Sequence, residues 1–252
     1  MSKNLAIVPA YNEAESLAFT LADLREHAPE FDVVVIDDGS TDETAAVARS
    51  CGVPVLRHPF NLGIGGAVQS GYQFAFDRDY DVAVQVDGDG QHSAAALGPM
   101  LEALKREADV NMVTGSRFLE EDDGEGFRST RSRRIGIGLF ARVLSLVTGR
   151  RVTDPTSGLR MCDRAGIALF ARDYPHDFPE VEAVLMIHHH QLTAIEVPVL
   201  MRDRHGGVSS IRSTASAYYM IKVLLALFVG LLRRRPVVEP GQSAPVTAEH
   251  GL

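Results

Sequence analysis

The chain has 252 residues, of which 45% are apolar, 23% are charged and 7% are aromatic, so it can bury one sizeable core. Its 33 acidic residues outnumber its 25 lysines and arginines, and the net charge of −8 argues against a general nucleic-acid binder, which would carry a positive field. Two cysteines, Cys51 and Cys162, are too few for a disulfide framework and lack the spacing of a zinc site.

The N-terminus passes from one lysine through the short apolar run LAIVPA into polar residues. This run is too short for a signal peptide and is expected to be a strand of the fold. The low cysteine count favours a reducing cytoplasm. Over the first 115 residues, runs rich in Val and Ile alternate with helical patterns, which is typical of a mostly parallel α/β sheet flanked by helices. Strands are predicted at Leu5–Val8, Val33–Ile36, Val53–Leu56, Val82–Val86 and Val110–Val113.

Helices are predicted between these strands from apolar residues at helical spacing. Two of them have the spacing of a capping box at their start, Asn12 with Glu15 and Ser40 with Glu43. The predicted helices cover Glu13–Ala28, Thr41–Cys51 and Ala67–Phe76.

The alternation stops after Arg117. The acidic segment 119–127 is predicted to be a mobile loop. The stretch Arg128–Arg151 contains seven arginines and no acidic residue around an apolar run, which predicts a basic amphipathic helix. A helix near Val181–Gln191 and a strand near Ala194–Leu200 follow.

The last apolar segment, residues 215–232, would reach about 27 Å as a helix, close to the roughly 30 Å of membrane hydrocarbon. Lys222 near its middle makes spanning costly. Seven basic residues and one acidic residue between Met201 and Arg235 favour a helix lying on an anionic membrane surface. Packing on the protein or a partner, and spanning, are the alternatives. The predicted regions are a catalytic domain over 1–212, this helical region over 213–235 and a disordered tail over 236–252.

Carboxylates follow two of the predicted strands. Asp37 and Asp38 end one strand, and Asp87 and Asp89 end another. Because the carboxyl ends of parallel strands line a ligand crevice, all four are expected at one edge, where they need a cation or hydrogen-bond donors. The sequence VDGDG suits a divalent ion whose other ligands are phosphate oxygens and water. The alternative is an Asp-Gly turn after a strand.

Six motifs in order resemble those of family 2 glycosyltransferases with the GT-A fold, particularly the dolichyl/polyprenyl-phosphate sugar synthase-like branch. The resemblance covers roughly residues 4–210. The motifs are PAYNE at 9–13, DDGSTD at 37–42, NLGIGGA at 61–67, VDGDGQH at 86–92, GSR at 115–117 and DPTSGLR at 154–160.

The resemblance implies a Rossmann-like, mostly parallel sheet flanked by helices, with a C-terminal amphipathic or apolar helix. It implies metal-dependent, inverting transfer of a sugar from a nucleoside diphosphate sugar, with a polyprenyl phosphate as the expected acceptor and the enzyme peripheral at the inner face of the cell membrane. One alternative acceptor is a hydroxyl of a soluble or cell-wall glycan. Another alternative is a non-catalytic, nucleotide-sugar-binding scaffold subunit. A small membrane partner and a homo-oligomer are compatible with the sequence.

The resemblance assigns donor-side roles to residues of the first four motifs. Three of these residues or segments have an alternative role. Asn12 would only cap a helix, Asp37 would only support Asp38, and the glycine loop NLGIGGA would be a closely packed turn. The implied nucleotide-sugar ligands are Pro9, Ala10, Asn12, Glu13, Asp37, Asp38, Gly63, Gly66 and Asp87. The implied ligands of Mg²⁺ or Mn²⁺ are Asp87, Asp89 and Gln91.

The resemblance also assigns catalytic roles to Asp154, Arg117 and Arg131. Arg117 would hold phosphate, Arg131 would bind the acceptor phosphate, and Asp154 begins the acceptor-side motif. A hydroxyl acceptor would need Asp154 as a base, whereas an ionised lipid phosphate would need it only for orientation. Glu180 and Glu182 are rival carboxylates. The alternatives are a surface salt bridge for Arg117, a solvated basic face around Arg131 and a turn-capping role for Asp154.

Overall fold

The computed structural model describes residues 2–107, 109–119, 131–176 and 179–202, with the backbone alone over 131–136. The regions predicted at 213–235 and 236–252, and all but the first residue of the loop predicted at 119–127, therefore lie outside the described residues.

Within the described residues, seven strands form one sheet in the order β3-β2-β1-β4-β6-β5-β7. All neighbours are parallel except β6, which runs antiparallel to both β4 and β5. The predicted mostly parallel α/β sheet is confirmed. The strands are β1 Asn4–Ala10, β2 Phe31–Asp37, β3 Val55–Arg57, β4 Val82–Gln85, β5 Val110–Ser116, β6 Arg160–Asp163 and β7 Thr193–Pro198.

Helices cover both faces of the sheet, with apolar cores between α1, α2, α4 and one face and between α3, α5, α6, α7 and the other. The sequence did not predict β6, α4 or α6: the Leu and Met spacing of α4 is interrupted by Gly98 and Pro99, which usually mark a loop. In the described part of the chain, no helix combines the length and apolar character needed to cross a membrane. The helices are α1 Leu17–His27, α2 Thr44–Ser50, α3 Gly63–Asp77, α4 Leu97–Arg106, α5 Arg131–Thr148, α6 Arg164–Arg172 and α7 Pro179–His189.

Both predicted capping boxes are wrong. Helix α1 follows Ser16 and α2 follows Glu43, beyond the predicted starts. The Asn12 side-chain oxygen instead accepts hydrogen bonds from the backbone N–H and the hydroxyl of Thr41, and the Ser40 hydroxyl accepts one from the backbone N–H of Asn12. These polar groups bond across the loops that follow β1 and β2, so they are not used at helix ends.

Candidate active site

The loops after β1, β2 and β4 meet at one edge of the sheet because β1 lies between the other two strands. The carboxylate of Asp37 is buried there, where it accepts a hydrogen bond from the backbone N–H of Ser40 and forms a 3.0 Å ion pair with Arg57. The negative charge of Asp37 is thus offset by an arginine of the same chain. The sequence predicted that carboxylates at this edge need a cation or hydrogen-bond donors, and Asp37 has both.

Asp38 holds the loop that leads into α3. One carboxylate oxygen lies 2.7 Å from Nδ1 of His58 and accepts a hydrogen bond from the backbone N–H of Leu62, and the other oxygen accepts one from Gly63. The role of Asp38 toward a nucleotide stays a prediction, while its contacts in the structure position the glycine loop.

The glycines of NLGIGGA open α3, which begins at Gly63 and not at the predicted Ala67. Gly63 begins the helix with a φ of +83°, a region that favours glycine. A Cβ on Gly65 would lie 2.4 Å from the carbonyl oxygen of Pro175, and one on Gly66 would lie 2.7 Å from Cβ of Leu62. Close packing therefore explains Gly65 and Gly66, and contact with a diphosphate stays a prediction.

The Asp-x-Asp loop, residues 87–94, follows β4. The Asp87 side chain is 35% exposed and accepts a hydrogen bond from the side chain of Gln85, while its backbone N–H donates to Nδ1 of the buried His92. Asp89 is buried, and one carboxylate oxygen accepts a hydrogen bond from the backbone N–H of Gln91. The loop therefore has a defined shape.

The residues of this loop fit a hard divalent ion in their donor chemistry, since they offer two carboxylates and the amide oxygen of Gln91. Over the described ranges, no three His, Cys, Asp or Glu side chains come together as a metal site. A divalent ion held by Asp87 and Asp89 would therefore need further oxygen ligands from a bound molecule, such as a diphosphate.

Helix α1 holds the Asp-x-Asp loop through a buried polar stripe, Ser16, Thr20 and Asp23, that sequence analysis missed. The hydroxyls of Ser16 and Thr20 lie 2.9 and 3.2 Å from the carbonyl oxygen of Gly88, and Asp23 accepts a 2.7 Å hydrogen bond from the backbone N–H of Ala94. The three residues recur at intervals of four and three, which places them on one helical face. That spacing was the available signal.

Arg202, just beyond β7, binds the same loop from the other side. Its guanidinium lies 3.0 Å from the carboxylate of Asp23 and donates a hydrogen bond to the hydroxyl of Ser93, and its backbone N–H donates to the carbonyl of Gln91. The loop is thus held between α1 and the segment that follows β7.

Arg117 and Asp154 form one buried ion pair, although the sequence gave no sign that they pair. The Arg117 Nε and a terminal guanidinium nitrogen donate to the two Asp154 oxygens at 2.6 and 2.8 Å, and the backbone N–H of Arg117 adds a third bond at 3.2 Å. The same terminal nitrogen also donates to the hydroxyl of Thr156. Both oxygens of Asp154 are therefore engaged.

Glu196 of β7 holds the backbone that carries Asp154. No sequence motif indicated this role for Glu196. Its carboxylate accepts hydrogen bonds from the backbone N–H groups of Thr153 and Asp154 and from the Thr153 hydroxyl. The Thr153 hydroxyl also lies 2.6 Å from that of Ser116, at the end of β5. A carboxylate within the otherwise apolar strand TAIEVP was the only signal in the sequence.

Gly158 brings the DPTSGLR motif against the Asp-x-Asp loop. A Cβ on Gly158 would lie 2.9 Å from a carboxylate oxygen of Asp87. On the other side of the loop, a Cβ on Gly88 would lie 3.2 Å from the carbonyl oxygen of Pro9 and 3.4 Å from Cβ of Ala10. The first, fourth and sixth motifs therefore meet at Asp87 and Gly88.

Three other residues named in the sequence analysis, Glu13, Glu180 and Arg131, have no described contact with Asp87 or Gly88. The Glu13 side chain accepts a 2.7 Å hydrogen bond from the Ser16 hydroxyl. The buried guanidinium of Arg160 donates to the backbone carbonyl of Glu180; burial raises the pKa of the Glu180 carboxyl, with Arg160 opposing that rise. Arg131 begins α5, but its side chain and its predicted role lie outside the described contacts.

The sheet topology, with an Asp-x-Asp loop after β4 and a buried Arg–Asp pair beside it, defines a glycosyltransferase of the GT-A class. Residues 5–168 match the family model described as glycosyl transferase family 2. The chain belongs to this family, as its ordered motifs indicated.

Named relatives and solved structures agree with this class. The chain is 38% identical over 162 residues to the undecaprenyl-phosphate mannosyltransferase of Micrococcus luteus, a match that spans 62% of this chain and 64% of the relative, just under two thirds. It is 29% identical to the polyprenol monophosphomannose synthase of Mycolicibacterium smegmatis, over 88% of this chain and 85% of the relative. The fold is similar, with a TM-score of 0.66 and 17% identity, to glucosyl-3-phosphoglycerate synthase from Mycobacterium tuberculosis crystallised with Mn²⁺ and uridine diphosphate, over 91% of this chain and 80% of that one.

Proposed function

We propose that this protein transfers a sugar, with inversion, from a nucleoside diphosphate sugar to a polyprenyl phosphate. The observation that carries the proposal is the buried Arg117–Asp154 pair. A hydroxyl acceptor must lose a proton to a base, but both oxygens of Asp154 already accept hydrogen bonds from a guanidinium. A phosphate acceptor is ionised at neutral pH and needs no such base, so it matches this geometry better.

On the donor side, the proposal places the diphosphate at the Asp-x-Asp loop. Asp87 and Asp89, with Gln91, would hold Mg²⁺ or Mn²⁺, which when bound offsets negative charge on the departing nucleoside diphosphate. The chain's own contribution is to keep this loop in place through α1 and Arg202. It also holds the glycine-rich start of α3 in position through Asp38.

On the acceptor side, the proposal gives Arg117 and Arg131 the lipid phosphate. Asp154 is a positioning residue that fixes the plane of the Arg117 guanidinium, and Glu196 fixes the turn that carries Asp154. A planar guanidinium held in this way presents a positive charge in a fixed orientation, which suits a phosphate acceptor. Inversion then requires the acceptor oxygen to attack the sugar opposite the leaving diphosphate.

The relatives support the same acceptor class, since two of them are named undecaprenyl-phosphate mannosyltransferase and polyprenol monophosphomannose synthase. An acceptor with a long apolar chain resides in a membrane, so the proposal makes the protein peripheral at a membrane, on the cytoplasmic face expected from the sequence. The solved structure with Mn²⁺ and uridine diphosphate supports a divalent ion at the donor.

The test is a transfer assay with the full chain, Mg²⁺ or Mn²⁺, and donors carrying mannose, glucose or N-acetylglucosamine. Each donor is offered with a polyprenyl phosphate in detergent or with a soluble glycan. We expect labelled sugar in the organic phase for at least one donor, and loss of that product in Arg117→Gln. Arg106→Gln, which removes an exposed arginine of α4, is the control for charge. Transfer to the glycan alone would contradict the proposal. The absence of both transfer and donor hydrolysis would favour the scaffold alternative.

A further inference from the structure

A buried glutamine, Gln85, ends strand β4 two residues before Asp87. The other residues of this strand are valine and alanine, and Gln85 itself is only 3% exposed. A buried amide costs free energy unless it forms hydrogen bonds, so a glutamine at this position needs a partner. Its Nε2 donates a hydrogen bond to Oδ1 of Asp87 at 3.0 Å. The partner of the buried amide is therefore a proposed ligand of the metal.

The sheet holds the backbone of Gln85 on both sides. Gln85 lies opposite Ile7 of the parallel strand β1 and opposite Arg160 of the antiparallel strand β6. A side chain that starts from a paired strand has a better defined position than one that starts from a loop. The hydrogen bond to Asp87 therefore connects the Asp-x-Asp loop to the centre of the sheet.

The two carboxylate oxygens of Asp87 have different surroundings. Oδ1 accepts the hydrogen bond from Gln85. Oδ2 lies 3.8 Å from Nε2 of His92, which is too long for a hydrogen bond, and the missing side chain of Gly158 leaves space beside it. The described contacts therefore hold Asp87 by Oδ1 and leave Oδ2 to a cation.

We propose that Gln85 is a positioning residue for the divalent ion, because its amide fixes the Asp87 carboxylate with Oδ2 toward the ion. This inference rests on the proposed function, which places Mg²⁺ or Mn²⁺ at the Asp-x-Asp loop. Gln85 lies outside the six motifs and acts only through Asp87. Without the amide, the carboxylate can adopt several side-chain conformations, and an ion that binds must select one of them. Metal binding is then weaker.

The experiment measures Mn²⁺ binding to the full chain in the presence of uridine or guanosine diphosphate. The electron paramagnetic resonance signal of free Mn²⁺ reports the binding. Gln85→Met keeps the length of the side chain and removes the amide. We expect its Kd for Mn²⁺ to be about tenfold higher than that of the wild type, as is usual when a residue that orients a metal ligand is removed. Nucleotide affinity without metal, measured by calorimetry, should stay unchanged.

Asn111 provides a matched control near the start of β5, away from the carboxyl ends of the strands. Its side-chain amide donates a 2.8 Å hydrogen bond to the carboxylate of Asp163, the same kind of contact as that between Gln85 and Asp87. Asn111→Leu removes this contact, so it should lower the free energy of unfolding. It should leave the Mn²⁺ affinity of the wild type unchanged.

A second variant, Gln85→Asn, keeps an amide that is one carbon too short to reach Asp87. Its Mn²⁺ affinity should fall as in Gln85→Met, and circular dichroism shows whether each variant is folded. Unchanged Mn²⁺ affinity in a folded Gln85 variant would overturn the inference, and so would an equal loss in Asn111→Leu. Failure of both Gln85 variants to fold would assign the glutamine to stability instead.

Transfer to a polyprenyl phosphate in detergent separates this inference from the proposed function. If the wild type transfers sugar and the Gln85 variants bind Mn²⁺ more weakly, both stand. If the wild type transfers sugar and the variants bind Mn²⁺ as it does, only the inference fails. If the variants bind Mn²⁺ more weakly and the wild type transfers no sugar to any polyprenyl phosphate, the proposed function fails and the role of Gln85 stands. A wild type that binds no Mn²⁺ with either nucleotide would overturn the inference whatever the transfer assay shows.

Discussion

Arg117 and Asp154 depend on one another because both are buried. Removing one partner of a buried ion pair leaves an uncompensated charge, which typically costs about 3 to 5 kcal/mol. We expect Arg117→Gln and Asp154→Asn each to lower the free energy of unfolding by about that amount, and the double variant to lose less than the sum of the two. Denaturant titration of the four proteins measures this coupling, and additive losses would show that the pair is not energetically linked.

Asp89 is the residue on which divalent-dependent binding should depend most directly. An amide cannot offset the charge of a cation, so Asp89→Asn should abolish the part of nucleoside diphosphate binding that requires Mg²⁺ or Mn²⁺. The exposed Asp109, changed to Asn, removes the same charge outside the site. Calorimetric titration with and without metal measures the effect. Affinity that stays metal-dependent in Asp89→Asn would remove this residue from the proposed metal site.

Gly158 matters because its missing side chain leaves room for Asp87. Gly158→Ala would place a methyl group 2.9 Å from a carboxylate oxygen of Asp87, so the carboxylate must move. We expect weaker binding of nucleoside diphosphate with metal, at least about tenfold, and a small change in stability. Gly98→Ala in α4 is the matched control, because a Cβ there meets no atom within 4 Å and alanine favours a helix by up to about 1 kcal/mol. Equal nucleotide affinity in both variants would contradict the role of Gly158.

At the scale of elements, α1 acts as the support of the Asp-x-Asp loop. Its leucines pack on the sheet while Ser16, Thr20 and Asp23 face the loop. One helix therefore contributes both to the core and to the shape of the candidate site.

Asp23 provides a graded test of this support. Asp23→Asn keeps an acceptor for the backbone N–H of Ala94 but loses the ion pair with Arg202, and Asp23→Ala loses both. We expect the KM for the donor to rise modestly in the first variant and by about tenfold or more in the second, with kcat changing less. Glu26→Ala, on the exposed side of α1, should leave both constants unchanged. A fall in kcat alone, or equal effects of Asn and Ala, would argue against a role in positioning the loop.

For the whole molecule, the sheet order brings the donor loops and the acceptor motif to neighbouring positions. Strand β6 lies next to β4, so the turn before β6 carries Gly158 against Asp87. The segment Thr153–Asp154 is bound by Ser116 at the end of β5 and by Glu196 of β7. Both of these strands lie on the side of β6 opposite to β4. A bound nucleoside diphosphate with its metal would therefore contact several separate segments of the chain.

Donor binding should stabilise the whole fold for this reason. A ligand at about 100 times its Kd adds about 2.7 kcal/mol, which for a domain of this size raises the Tm by roughly 5 to 11 °C. We expect this rise only when nucleoside diphosphate and Mg²⁺ or Mn²⁺ are present together, and not in Asp89→Asn. A thermal shift series with each component alone and with both provides the measurement. The same rise with the nucleotide alone would show that binding does not need the metal.

The sequence by itself determined the features that depend on local order. Buried strands appear as runs of Val and Ile, the opening of α3 depends on glycines within one short segment, and six motifs in order identify the family. Helix α5 was visible from its arginines and apolar residues. Such features need no knowledge of which segments touch.

Only the tertiary structure decided which side chains meet. Arg117 pairs with Asp154, which is 37 residues away, and Ser16 binds the carbonyl of Gly88, which is 72 residues away. The carboxylate of Asp38 meets His58, Leu62 and Gly63, which lie 20 to 25 residues away along the chain. Local spacing specifies residue types and periodicity, whereas contacts between distant segments depend on strand order and packing, so the partners of these charges could not be read along the chain.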